Sequence, residues 1–173
     1  MRIQVAAIFI ILAIQACGMG EDPTPEKKVT DNQVSEALIR VNQYMVKKNH
    51  QHISNFVRRT GWDMKETDRG IWIEIFDPSN RKKIMDGDRI QIEYSLKLIN
   101  GYEPYGKGDI LEKSVVIGNT SIETGLDNAL RMMSRGDSAR IIVPPYLAYG
   151  NFGDSGKIPP DAILIYNVKV LDR

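Results

Sequence analysis

The sequence predicts an α+β fold, in which several antiparallel strands pack on one short helix and a long amphipathic helix precedes them. Three observations carry this. Arg89 to Leu98 (Arg-Ile-Gln-Ile-Glu-Tyr-Ser-Leu-Lys-Leu) alternates polar and apolar residues without a break, the pattern of a strand with one buried face. Apolar residues recur at three- and four-residue steps twice, over Val34 to Val57 and over Ile122 to Met133, the pattern of a helix with one apolar stripe. The chain of 173 residues is long enough for one core-bearing domain with an appendage. Short helix plus antiparallel strands is the α+β grammar.

Residues 1–16 read as a lipoprotein signal peptide. Arg2 supplies the positive end, and Ile3 to Ile14 supply an apolar run of roughly a dozen residues, the length of a signal-peptide core and short for a membrane span. The stretch Leu12-Ala13-Ile14-Gln15-Ala16-Cys17 resembles a bacterial lipobox, with an aliphatic residue at minus three, a small one at minus one, and then the cysteine that carries the lipid. The alternative is an ordinary signal peptide cut near Ala16 that leaves Cys17 as an incidental thiol. Cys17 is the only cysteine, so no disulfide forms within the chain. The expected location is the cell envelope, with the domain lipid-anchored in the outer membrane and facing the periplasm, since Gly18 stands where an inner-membrane retention aspartate would be. The formal charge of +1 falls to zero when Arg2 leaves, and neither nucleic acid nor an acidic membrane surface is a favoured partner.

Residues 17–33 join the lipidated cysteine to a tether. Gly18 to Gln33 carry Pro23, Pro25, several charges and almost no apolar side chains, too little to order a segment. Fully extended, such a stretch reaches about 50 Å. Residues 34–60 then read as an amphipathic helix with the stripe Val34, Leu38, Val41, Met45, Ile53, Phe56 and Val57, an N-cap at Asp31 or Asn32, and Gly61 as its stop. The stripe needs cover, either from the domain that follows or from residues 34–57 of a second subunit in a homodimer. His50 and His52 fall on different helix faces and read as solvated surface rather than as a metal site.

Residues 61–173 carry the strands. Trp62 to Glu66, a Thr67-Asp68-Arg69-Gly70 turn and Ile71 to Phe76 read as a hairpin with Ile71, Ile73 and Ile75 on one face. Arg89–Leu98, Ser138–Val143 and Ala162–Leu171 are further strands, and Ser121–Ser134 is the short helix, ended by Gly136. Period two places Leu164, Tyr166, Val168 and Val170 on one face. Tyr94 is in phase with Ile90, Ile92 and Leu96, so two tyrosines point inward, and each buried hydroxyl needs a partner.

The run Val143-Pro144-Pro145-Tyr146-Leu147-Ala148-Tyr149-Gly150-Asn151-Phe152-Gly153, followed by Ile158-Pro159-Pro160-Asp161-Ala162 and Leu164-Ile165-Tyr166-Asn167-Val168, resembles the C-terminal half of an FK506-binding-protein (FKBP) type peptidyl-prolyl isomerase. Gly87-Asp88 and Gly118 extend the resemblance to about Arg69–Arg173. It implies an FKBP-like twisted antiparallel sheet wrapped around the short helix, with a prolyl pocket between them. It also implies the site: Tyr149 supplies a hydroxyl, the backbone amide of Glu123 an N–H, Ile122, Leu126, Ile158 and Tyr166 form floor and walls, and Tyr94 lies beside them. Only the Glu123 backbone has a role on this reading, with its side chain left at the rim. Two positions depart from the pattern, because Pro104-Tyr105 stands where most active members have Phe-Asp and Leu126 where many have tryptophan.

Rotation about an X-Pro bond is opposed by a barrier of about 18–20 kcal/mol from amide resonance. The planar, charge-separated amide is best solvated by water, so an apolar site raises it relative to the twisted transition state. No bond breaks, and the expected cofactor and metal complement is none. Two functions stand: a prolyl isomerase acting on proline-containing polypeptide clients in the envelope, or a membrane-anchored prolyl-peptide binding or chaperone module of weak or no turnover. The whole chain is similar to the gliding-motility-associated isomerase lipoproteins of the Bacteroidetes, which implies clients in the motility or secretion apparatus and favours the enzyme.

Overall fold

The computed structural model describes residues 30–119 and 121–172. The signal peptide, Cys17 and the tether up to residue 29 lie outside the described residues. The chain divides into two compact units, residues 1–37 and 38–173. In the first, the described residues form the opening of helix α1 (Asp31–Thr60). The Thr30 amide donates to the Gln33 side chain at 3.1 Å, one half of a capping box in Thr30-Asp31-Asn32-Gln33. The cap is therefore Thr30 rather than Asp31 or Asn32, and residues 31–33, read above as tether, are helical.

In the second unit α1 ends as the sequence predicts. Gly61 takes φ +69° and its amide donates to Val57 O at 3.0 Å, the left-handed termination that glycine adopts without a Cβ penalty. Arg58 and Arg59 sit in the last turn, where cations favour the exposed carbonyls. The described residues include no helix long and apolar enough to cross a membrane.

Six strands follow: β1 (Lys65–Glu66), β2 (Trp72–Asp77), β3 (Arg89–Leu98), β4 (Leu111–Val116), β5 (Ser138–Val143) and β6 (Leu164–Val170), with helix α2 (Thr124–Leu130) between β4 and β5. They form one sheet in the order β1-β2-β5-β6-β3-β4, and every pairing is antiparallel. β1 and β2 are the two arms of the expected hairpin, with Lys65 opposite Ile73 across the Thr67–Gly70 turn. β4 is a correction to the sequence reading, which left this stretch unassigned. It is an edge strand paired only with β3, and it buries Val115 while Glu112, Lys113 and Ser114 stay exposed, so little alternation survives to announce it.

The helix read over Ser121–Ser134 is also corrected, since regular α-helix covers only Thr124–Leu130. A tight turn continues it, with Met132 and Met133 amides donating to Ala129 and Leu130 carbonyls, so Met133 still reaches the core. Asp127 fixes α2 to the preceding loop. Its carboxylate accepts from the Gly118 amide at 2.9 Å and from Arg131 Nε at 3.0 Å. Gly125 permits close approach to β5, because a Cβ there would lie 2.2 Å from Val143 Cγ1.

The sheet is apolar on both faces. One face holds Ile73, Ile90, Ile92, Leu96, Ile141, Val143, Leu164, Tyr166 and Val168 against α2 residues Leu126, Ala129 and Leu130. The other holds Ile142, Ile163 and Ile165 with Trp72, and Ile53, Phe56 and Val57 of α1 pack on them. The second half of the α1 stripe is thus covered by the sheet. Earlier in the stripe, Leu38 and Val41 are exposed. His50 lies tilted against Trp72 with ring centroids 6.0 Å apart and bonds Glu66 at 3.1 Å, while His52 is exposed. Among the described residues no group of three or more His, Cys, Asp or Glu is placed to hold a metal.

Candidate functional site

Two strands and two loops bring four tyrosines against the inner core. Tyr94 comes from the middle of β3 and Tyr166 from β6, two residues out of register with it, since Tyr94 lies opposite Val168 and Tyr166 opposite Leu96. This diagonal leaves the rings 6.0 Å apart and tilted by 51°, within the range of a favourable aromatic pair. Tyr166 is fully buried. Tyr149 follows the short 3-10 turn Pro145–Leu147, whose Pro145 carbonyl accepts the amides of Ala148 and Gly150 at 2.9 and 2.8 Å. Tyr105 arrives from the β3–β4 loop, anchored by buried Pro104, and packs half-buried on the same core.

The remaining wall residues are all present. Leu126 and Ile158 are buried in the inner core and Ile122 packs against it. The Ile158 loop is held by the Asp154 carboxylate, which accepts from the amides of Gly156 and Ile158, each at 2.8 Å; those backbone bonds hold its carboxyl below the usual range. Gly153 tightens the same loop, since a Cβ there would meet Ile158 O at 2.2 Å.

The Glu123 side chain lies half-buried at the rim of the site, and it has a partner there. Glu123 precedes α2 in extended conformation (φ −62°, ψ 139°) and makes no side-chain cap bond to its own helix. Its carboxylate instead accepts a hydrogen bond from the Tyr149 hydroxyl. Burial pushes the Tyr149 hydroxyl far above its ordinary value, and the bond to Glu123 and its charge push it further. Burial likewise raises Tyr166, with charge and hydrogen bonding from Glu123 adding to it. Tyr94 and Tyr105 are raised by burial and, among the lesser causes, by Glu123. A carboxylate therefore sits among four neutral phenols. The sequence reading missed it because a backbone role was assigned to Glu123, although an acid one position before a short apolar helix was visible.

A cavity of about 370 Å³ opens here, lined by Ile122, Glu123, Ala148 and Tyr149 among others. A larger one, about 570 Å³, lies between α1 and the β1–β2 turn and includes Val46, His50, Ile53 and Tyr146. None of the site residues expected from the sequence lines it. The tyrosine edge offers aromatic walls for positioning and desolvation and a Tyr149 hydroxyl bonded to the Glu123 carboxylate.

Comparison with known proteins agrees with this geometry. The family model for FKBP-type peptidyl-prolyl cis-trans isomerases matches residues 80–171. Human peptidyl-prolyl cis-trans isomerase FKBP10 is 33% identical over 98 residues, which are 55% of this chain and 16% of that protein. The chain thus spans a small part of the curated relative's length. Among solved structures, the peptidyl-prolyl cis-trans isomerase of Pseudomonas syringae pv. tomato superposes with a TM-score of 0.61 at 21% identity, covering 75% of this chain and 92% of that one. FkpA from Escherichia coli gives 0.56 at 21% identity, covering 84% and 73%. At such identities the two structures speak for the fold.

Proposed function

This chain belongs to the FKBP-type peptidyl-prolyl cis-trans isomerase family, and from that premise we propose that it accelerates cis-trans exchange of X-Pro bonds in exported polypeptides. The observation that carries the reading is the packing of Tyr94, Tyr149 and Tyr166 with Ile122, Leu126 and Ile158 in one core cluster, of which Ile122 and Tyr149 also line the cavity beside Glu123. A prolyl ring in that site lies against aromatic walls. The Tyr149 hydroxyl and the Glu123 amide fix the carbonyls on either side, which converts a floppy peptide into an oriented one. The aromatic and aliphatic walls of the site raise the planar amide more than the twisted state, and the barrier falls.

The anchor, the outer-membrane location and service to the gliding motility or secretion apparatus belong to the same proposal, supported by the Cys17 motif and the whole-chain resemblance. Self-association, on this reading, uses the exposed part of α1 around Leu38 and Val41, since Ile53 to Val57 are already covered.

A binding or chaperone module is the second reading, and Tyr105 favours it. The phenol cannot serve as the carboxylate usual at that position, so turnover is reduced while prolyl binding persists. A protease-coupled assay on a proline peptide separates the two. The enzyme reading expects acceleration above the uncatalysed rate and a further gain in Tyr105→Asp; binding without acceleration in either protein would leave only the second reading.

A further inference from the structure

We propose that Glu123 determines specificity, selecting clients with a lysine or arginine immediately before the proline. The inference rests on the prolyl-isomerase reading of the same site. A phenol has one O–H to donate, and that of Tyr149 is committed to the Glu123 carboxylate. A substrate carbonyl that needs this hydroxyl must compete with an anion, which is the stronger acceptor.

Among the described residues no lysine or arginine forms an ion pair with Glu123. The two nearby lysines are engaged otherwise: Lys113 Nζ donates to the Ser121 carbonyl at 3.0 Å, and Lys157 Nζ stands 5.3 Å over the Tyr105 ring. Asp154 adds a second negative charge acting on Tyr105 and Tyr149. The cavity thus holds a carboxylate that forms no ion pair among the described residues, with Lys113, which lines the same cavity, turned to the Ser121 carbonyl.

The residue before proline owns the carbonyl of the X-Pro bond, so its side chain enters beside Tyr149. A cationic side chain there draws Glu123 to itself and releases the hydroxyl to the substrate carbonyl. A neutral side chain leaves the hydroxyl occupied, and an acidic one is repelled. Charge complementarity and freeing of the donor act together on the same peptide.

The test uses three peptides that differ only in the residue before proline, lysine, leucine or glutamate. With the full chain, kcat/KM falls in the order Lys, Leu, Glu, with at least about 10-fold between the ends, the scale of one partly buried charge pair. Glu123→Gln keeps the shape and removes the charge, and the Lys-to-Glu ratio falls toward one. Glu123→Ala frees the hydroxyl, and turnover of the leucine peptide rises. A ratio that survives in Glu123→Gln, or a wild-type order that does not begin with lysine, overturns the proposal. Should no peptide be accelerated, the isomerase reading fails, and the same ratios are read from calorimetric Kd values. A Lys preference there that is lost in Glu123→Gln supports the specificity role alone, and its absence overturns that role too.

Discussion

The hydroxyl of Tyr149 is the most exposed claim at the scale of single residues, because a ring without it would pack the same way. Tyr149→Phe keeps the aromatic wall and deletes one donor. Binding of a peptide with lysine before the proline should weaken by about 0.5–1.5 kcal/mol, the net value of an ordinary hydrogen bond, with the melting temperature nearly unchanged, since the freed Glu123 carboxylate is only half-buried and rehydrates. Calorimetric titration with a proline peptide, run beside thermal melts, checks both parts; a large drop in melting temperature would make the bond structural. The tyrosines themselves were legible in the sequence. Tyr94 and Tyr166 follow from alternation along β3 and β6, and Tyr149 from the family run around Ala148-Tyr149-Gly150. The direction of the Glu123 side chain was not, because it depends on two segments that meet only in the folded chain. Nor was the Thr30 cap, where three polar residues in succession compete for the same role.

At the scale of elements, α1 is part of the core and not only an arm. Ile53 is 1% exposed and covers Ile142, Ile163 and Ile165 on the outer face of the sheet. Ile53→Ala should therefore destabilise the protein by about 2–5 kcal/mol, as for other fully buried aliphatic truncations. Urea unfolding reads this directly, and a change under about 0.5 kcal/mol would mean that the helix is only loosely applied. By the same logic, a chain cut before Gly61 exposes an apolar sheet face and loses stability. The sequence held the signal for this: Ile141-Ile142-Val143 and Ile163-Leu164-Ile165-Tyr166 do not alternate, and unalternated strands have both faces covered. β3 was read to the residue because it alternates for its full length. β4 escaped because an edge strand with one buried side chain carries almost no period.

At the scale of the whole molecule, residues 38–173 hold the core and the pocket. The proposed lipid attachment rests on Cys17, and on that proposal Cys17→Ser should move the protein from the membrane to the soluble fraction with the domain still folded; retention after a high-salt wash would end the lipoprotein reading. The pocket carries the central claim, that an aromatic site acting by burial and positioning lowers the rotation barrier of an X-Pro bond. Exchange spectroscopy by NMR tests it most directly, because it measures cis-trans interconversion of a proline peptide at equilibrium without a coupled protease. The uncatalysed process takes tens of seconds or longer at 25 °C. A catalytic amount of the protein should produce exchange cross-peaks between cis and trans proline signals on a sub-second mixing time, and Tyr166→Ala, checked for folding, should abolish them. Absence of cross-peaks at saturating peptide, with binding shifts still present, would contradict the account.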